Sequence, residues 1–294
     1  MSMGSGMRGL VEAIKYSPLG RVASMPLRAQ VALVPTGQAW LRGLHWVLTS
    51  REYTTPAFDH DELGVLACAA ALSQLTGVPA AQVREYAQEL LTDDAFRARH
   101  DERLRQTRLR HIRDPRLRLG RCLMTYMLVR TIGARVVFEA GTDNGMGSLA
   151  VLRALRRNHP AGGGLLVTID IRADRGDFLV DDESGWVRRL TGDSVQALRQ
   201  AGEPIDVLLH DTVNDPDHTR AQLQAALPHL SPRAAIQAAW FSREFASFCE
   251  ANGFGYLEYG ERPHRHWYGG GRCALAVRRE PPPAPAVANR PEPG

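Results

Sequence analysis

Val136-Val137-Phe138-Glu139-Ala140-Gly141-Thr142-Asp143-Asn144-Gly145-Met146-Gly147-Ser148 is an apolar run ending in an acid, then a glycine-rich turn, then the start of a helical pattern. The run predicts a buried strand, and the helix continues through Leu149-Ala150-Val151-Leu152. Gly141 and Gly145 permit a tight turn and a close backbone approach that a side chain would obstruct. The first N–H groups of the helix would face an anionic ligand group. Read from Gly141, the turn does not match the dinucleotide pattern, because Asp143 stands where that pattern has its second glycine. It also lacks the Gly-Lys-Ser/Thr of a phosphate loop.

Outward from this turn the chain alternates strand and helix. An amphipathic helix is expected through Cys122–Gly133 ahead of it. After it come the strand Gly164–Ile171, a short strand around Val187–Gly192, a helix from Ser194, the strand Ile205–Asp211 and a helix from His218. The strand Ala234–Trp240 and the helix Phe241–Gly253 follow. Two last strands, around Phe254–Arg262 and Arg272–Arg279, have no helix between them and predict an antiparallel hairpin. Continuous apolar strands alternating with helices imply a parallel sheet covered on both faces. The fold class is therefore α/β: a Rossmann-like, mostly parallel seven-stranded sheet with an antiparallel closing hairpin, preceded by a helical N-terminal segment.

That segment, 1–118, shows no strand alternation. Leu63–Leu75 is apolar nearly all round and predicts a buried helix. In the next helix Val83, Tyr86, Ala87 and Leu90 share one face. Thr92-Asp93-Asp94 supplies capping chemistry for a third, expected from about Ala95 to Arg113. This one carries Arg97, Arg99, Arg103, Arg105, Arg108, Arg110 and Arg113. The arginines could form a basic surface for RNA, but few aromatic side chains are interleaved for base stacking, and Asp101 and Glu102 offset the charge. A solvated helix face is the favoured reading. The formal charge of +4 does not imply nucleic acid. The domain that follows runs 119–279, and the proline-rich 280–294 is read as a disordered tail. No apolar stretch is long enough to span a membrane, and the N-terminus lacks a signal-peptide core, so a cytoplasmic protein is expected. Cys68, Cys122, Cys249 and Cys273 form no C-x-x-C pair and read as reduced, buried thiols.

Asp170 ends the second strand, about one βαβ step after Glu139, where an acid can accept hydrogen bonds from both ribose hydroxyls. An ordinary helix cap is the alternative there. The acid-x-Gly-x-x-x-Gly pattern of Glu139, Gly141 and Gly145 resembles the first motif of class I S-adenosylmethionine-dependent methyltransferases, over about Leu119–Val277. Leu208-Leu209-His210-Asp211-Thr212-Val213-Asn214-Asp215-Pro216-Asp217-His218 and Glu261–Gly271 resemble a bacterial subgroup of small-molecule O-methyltransferases that tailor natural products. The resemblance implies that Glu139 and the two glycines hold the methionine part of the cofactor, that Asp193 meets the adenine amino group and that Ser194 caps the next helix. The candidate cofactor-binding set is Glu139, Gly141, Thr142, Gly145, Ser148, Asp170, Asp193, Ser194 and His210.

Methyl transfer needs an in-line nucleophile and a route for its proton. His210, Asp211 and His218 fall at or beyond the carboxyl end of the fourth strand, where an open α/β sheet binds its ligands, and His266 could reach the cleft from the closing hairpin. These four are the catalytic candidates, although any one histidine could equally be a surface or core residue. Some relatives bind a divalent cation using acids at the ends of the fourth and fifth strands. Here the fifth ends Gln237-Ala238-Ala239-Trp240 without a carboxylate, so a metal-free site is expected. The leading expectation is methyl transfer to an oxygen or nitrogen of a small metabolite, with the N-terminal segment shaping the substrate pocket or a dimer contact. Two rivals are a non-methylating use of the same cofactor, such as a cyclisation, and RNA binding or methylation through the arginine-rich helix.

Overall fold

The computed structural model describes residues 25–52, 56–179 and 185–279, with side chains from residue 36 onward. The expected proline-rich tail lies outside the described residues. The chain forms two compact units. One contains helix α1 (Met25–Thr49) and the segment 265–269, in which the Trp267 ring lies 5.0 Å from that of Trp46. In α1, Trp40, Leu41, Val47 and Leu48 are exposed.

The other unit holds the sheet. Its elements are α2 (Glu62–Thr76), α3 (Ala80–Leu91), α4 (Asp94–Gln106), α5 (Gly120–Ile132), β1 (Val136–Ala140), α6 (Met146–Asn158), β2 (Leu165–Asp170), β3 (Val187–Thr191), α7 (Ser194–Arg199), β4 (Ile205–His210), α8 (Pro216–Ala226), β5 (Leu230–Ala238), α9 (Arg243–Ala251), β6 (Phe254–Gly260) and β7 (Arg272–Arg278). The strands lie in the order β3-β2-β1-β4-β5-β7-β6. The first five are mutually parallel, and β7 runs antiparallel to both β5 and β6. This is the seven-stranded Rossmann-like sheet with a closing hairpin that the strand–helix alternation predicts. The order reverses at β1 and β4, which places the switch point at the glycine turn.

Strand periodicity divides the core into two layers. Val137, Val207, Leu209, Ala235 and Leu275 face one cluster, packed beneath α2, α3, α5 and α6. Phe138, Leu208, Ile236 and Ala276 face the other, beneath α7, α8 and α9. Helices α2 to α6 share the first cluster with the sheet. Edge strand β3 exposes Arg188 and Arg189, charges that discourage pairing with another edge. Cys68, Cys249 and Cys273 are buried, and all four cysteines are free thiols. Among the described residues no helix is long and apolar enough to cross a membrane.

Three helices depart from their sequence patterns. Helix α5 is buried nearly all round, from Leu123 through Val129, because it is packed between the sheet and its neighbours α3 and α6. Helix α2 buries Cys68, Ala69, Ala71 and Leu72 but exposes Leu63 and Leu66. The arginine-rich helix breaks at Thr107, whose backbone is extended, and a 3-10 turn covers Arg108–His111. There Leu109 is buried, and the Arg108 guanidinium reaches Asp177 at 3.1 Å and Asp174 at 3.3 Å. These contacts pull the chain out of the helical path.

Asp93 joins the helices to the sheet layer. Its carboxylate caps α4 by accepting the Phe96 N–H at 2.9 Å and meets Arg153 Nε of α6 at 2.6 Å, while the residue is 7 % exposed. Replacing a cap residue and leaving a guanidinium without its partner together cost about 2–3 kcal/mol. Asp93→Ala should lower stability by about that amount in a urea titration; a loss no larger than that of a surface substitution would contradict this role.

Candidate functional site

The site is built where β1 meets its glycine turn. Gly141 has φ +102°, and a Cβ there would stand 2.0 Å from the Asp211 carbonyl oxygen at the end of β4. Only glycine permits that approach. The turn is held by N–H bonds from Gly141 and Thr142 to the Ile169 carbonyl, and Gly145 (φ +85°) closes it onto the Thr142 carbonyl at 2.8 Å. Asp143, with φ +43°, is the strained non-glycine residue at its tip. The connection after β2 laces over the turn, with Gly176 donating to the Asp143 carbonyl at 2.7 Å and Phe178 to that of Asn144 at 2.9 Å.

Asp170 sits half-buried at the end of β2. One carboxylate oxygen accepts the Asp143 N–H and the other the Arg172 N–H, both at 3.0 Å. Each oxygen keeps a lone pair for a further donor. The residue edges a cleft of about 270 Å³ lined also by Thr142, Arg189, Leu190 and Thr191. Arg113 and Arg175 approach Asp143 at 3.5 and 3.4 Å, which encloses the turn in charge pairs.

Beneath the turn, Glu139 is 5 % exposed and accepts hydrogen bonds from the hydroxyls of Ser148 and Thr168. Burial pushes its carboxyl up to about 7; the two hydroxyls oppose that shift, and Asp211 and Asp143 add to it. Ser148 is fully buried in this contact, so it supports Glu139 and does not line the cleft. Thr142 Oγ1 bonds to Thr168 Oγ1 at 2.6 Å. Thr168 belongs to the same network but is absent from the sequence-based set, because a threonine within an apolar strand gives no sign of its function.

Three expectations at the far side of the sheet need correction. His210 is 1 % exposed, with Nδ1 bonded to Gln222 Oε1 and Nε2 3.2 Å from Thr219 Oγ1. Burial lowers its pKa, the Gln222 contact opposes this, and His218 adds to the lowering. With both nitrogens engaged between β4 and α8, its side chain is directed into a buried network and away from the cleft. Ser194 accepts from Gln222 Nε2 at 2.6 Å in the same buried network. Asp193, not Ser194, caps α7, accepting the Gln196 N–H at 2.8 Å, and its side chain is exposed. The period of 2 along β4 turns residue 210 away from the glycine turn.

Asp211 remains at the site, its side chain half-exposed. Arg121, in the first turn of α5, places Nη1 3.5 Å from Asp211 and Nε 3.0 Å from Glu261. Glu261 is 4 % exposed and also accepts the Gly271 N–H at 2.8 Å. Neither Arg121 nor its ion pair with Glu261 is foreseen from sequence, since 140 residues separate the partners. Nearby strand ends carry buried polar atoms with no hydrogen-bond partner: Thr212 Oγ1, Gln237 Oε1, Trp240 Nε1 and the Tyr259 hydroxyl. His218 Nε2 is another, and its backbone N–H bonds to the cap residue Asp215. His266 lies in the 265–269 segment, its ring 5.6 Å from that of Trp267 and its Nδ1 accepting the Tyr268 N–H at 3.0 Å. Among the described residues no group of three or more His, Cys, Asp and Glu side chains is arranged to hold a metal ion.

Residues 138–238 match a family model described as a methyltransferase domain, the family whose first motif Glu139, Gly141 and Gly145 resemble. Several crystal structures are similar to the chain. An O-methyltransferase from Bacillus cereus in complex with SAH is 18% identical over 71% of this chain and 100% of its own, with a TM-score of 0.48. The O-methyltransferase TomG from Streptomyces achromogenes, in complex with SAM, is 17% identical over 64% of this chain and 91% of its own, with a TM-score of 0.46. A methyltransferase from Geobacter sulfurreducens is 20% identical over 68% of this chain and 98% of its own, with a TM-score of 0.46. A search of curated proteins finds no match.

Glu139 gives the site a pH signature. Its folded-state pKa of about 7 lies above the ordinary 4.5, so between those values the native protein binds a proton that the unfolded chain releases. Stability should therefore fall as pH rises from about 4.5 to 7 and level off above, by about 2–3 kcal/mol from this group. Glu139→Gln should remove that slope in urea titrations at pH 5 and pH 8; an unchanged slope would contradict a protonated Glu139.

Proposed function

We propose that this chain transfers a methyl group from S-adenosylmethionine to an oxygen, or less often a nitrogen, of a small metabolite, of the kind that natural-product pathways tailor. The observation that carries the reading is Asp170. Two backbone N–H groups fix its carboxylate at the lip of a cleft beside a turn that only glycine can make. The residues fit the cofactor. The remaining lone pairs of Asp170 accept the ribose hydroxyls, the cleft of about 270 Å³ takes the nucleoside, and the bare backbone of Gly141 to Gly145 borders the methionine part. Glu139 supports that turn from below, and its ionisation would answer a cationic ligand group.

When bound, S-adenosylmethionine would supply an electrophilic methyl group on a sulfonium, with a neutral thioether that keeps the carbon–sulfur electron pair as the leaving group. Asp211 takes the acceptor's proton. It adjoins Gly141 through its own carbonyl and holds its carboxylate half-exposed at the switch point. Partial burial raises the Asp211 carboxyl above its ordinary value, Asp143 and Glu261 add to this, and Arg121 opposes it. A raised pKa makes a carboxylate a better proton acceptor near neutral pH.

The arginine-rich stretch favours a small-molecule acceptor over RNA. Arg108 and Arg113 are drawn into pairs with Asp174, Asp177 and Asp143 around the cleft, so part of the basic charge is used within the fold.

Calorimetric titration with S-adenosylhomocysteine tests this reading. Loss of hydrogen bonds to a charged acceptor should weaken binding to Asp170→Ala by about tenfold to a hundredfold. A folded wild-type protein that binds neither S-adenosylmethionine nor S-adenosylhomocysteine would overturn it.

A further inference from the structure

Behind Asp211 runs a chain of ion pairs that ties the start of α5 to the segment after β6. Arg121 stands at the start of α5, immediately after Gly120, whose φ of +41° lets the chain turn against the Phe58 carbonyl. Its guanidinium reaches out of the helix in two directions. Nε meets a carboxylate that is almost fully buried, and Nη1 meets one that is half-exposed. The buried partner, Glu261, is fixed twice, by Arg121 and by the Gly271 N–H. Gly270, beside that contact, has φ +90° and no room for a Cβ, which would stand 2.1 Å from the Glu261 carbonyl oxygen. The anchoring end of the chain is therefore rigid, and the free end points at the switch point.

We propose that Arg121, anchored by Glu261, is the positioning residue of the acceptor site, holding the Asp211 carboxylate beside the glycine turn to receive the acceptor's proton. The role rests on the methyl-transfer reading. A planar guanidinium held at Nε by one carboxylate has its outer nitrogens left to orient another, which a mobile ammonium does less well. Charge explains why both partners are needed. Asp211 faces Arg121 from α5, Asp143 from the glycine turn and Glu261 from the segment after β6. Without Arg121 three carboxylates would share one region. Without Glu261 the guanidinium would lose its anchor and pair more fully with Asp211, leaving that group less basic.

The two arms therefore pull Asp211 in opposite directions, so the shift on losing each partner has its own expected sign. The test is titration of aspartate side chains labelled with ¹³C at Cγ, followed by NMR, with the Asp211 signal identified by its loss in Asp211→Asn. Arg121→Gln should move the Asp211 midpoint up by about one pH unit and Glu261→Gln should move it down by a similar amount, as expected for one charge at this distance in a partly solvated site. Arg121→Lys keeps the charge and should stay closer to wild type than Arg121→Gln. If Arg121→Gln does not fold, Glu261→Gln and Arg121→Lys still decide the matter. Midpoints that stay put, or that move the same way on losing either partner, would overturn the proposal. Binding of S-adenosylhomocysteine, measured on the same samples, separates the two claims. Binding with unmoved midpoints overturns the positioning role alone, whereas no binding by wild type overturns the methyl-transfer reading beneath it.

Discussion

The contact between Gly141 and the Asp211 carbonyl is the constraint on which the site depends. It brings the end of β1 against the end of β4 so closely that no side chain fits between them. From that one crossing the remaining geometry follows. The turn must leave β1 with a positive φ, its N–H groups are drawn to Ile169 at the end of β2, and Asp143 is presented to Asp170. Three strand ends are thereby locked together at the point where the strand order reverses. An open α/β sheet has its natural crevice there.

The polar groups around this crossing fall into two sets on opposite faces of the sheet. On the face of α5 and α6, Glu139, Ser148, Thr168 and Thr142 form a buried network under the turn, and Asp211, Arg121 and Glu261 form an ion-pair chain beside it. On the other face, His210, Gln222, Thr219 and Ser194 are hydrogen-bonded to one another in a buried network. Buried polar groups without partners are costly, so a closed network on one face and unpaired atoms at the strand ends carry different meanings. The closed set specifies how α7 and α8 seat on the sheet. The atoms of Thr212, Gln237, Trp240 and Tyr259 that lack partners lie outside that closed set, toward the ends of β4, β5 and β6.

The sheet was legible in the sequence because each strand is a short apolar run bounded by turn residues, and because consecutive strands are neighbours or near neighbours. The acid-glycine turn and Asp170 were legible for the same reason: their roles follow from their places at strand ends. Side-chain direction was not. His210 and Asp211 are adjacent in sequence, yet one points into a core network and the other toward the switch point, a difference that depends on strand register rather than residue type. Asp193 and Ser194 exchanged roles for a similarly local reason, since either side chain can cap a helix and the backbone decides which one does. Arg121, Thr168 and the partnership of Arg121 with Glu261 were invisible, because long-range pairing of common residues leaves no local pattern. The arginine-rich helix was overextended because its composition continues past Thr107, while the pull of Asp174 and Asp177 comes from far along the chain.

A crystal structure of the protein with S-adenosylhomocysteine would test the central claim most directly. The expected result is the ribose hydroxyls on the Asp170 carboxylate and the thioether sulfur directed toward Asp211 across Gly141. A ligand seated elsewhere, or one in this cleft with its ribose away from Asp170, would contradict it.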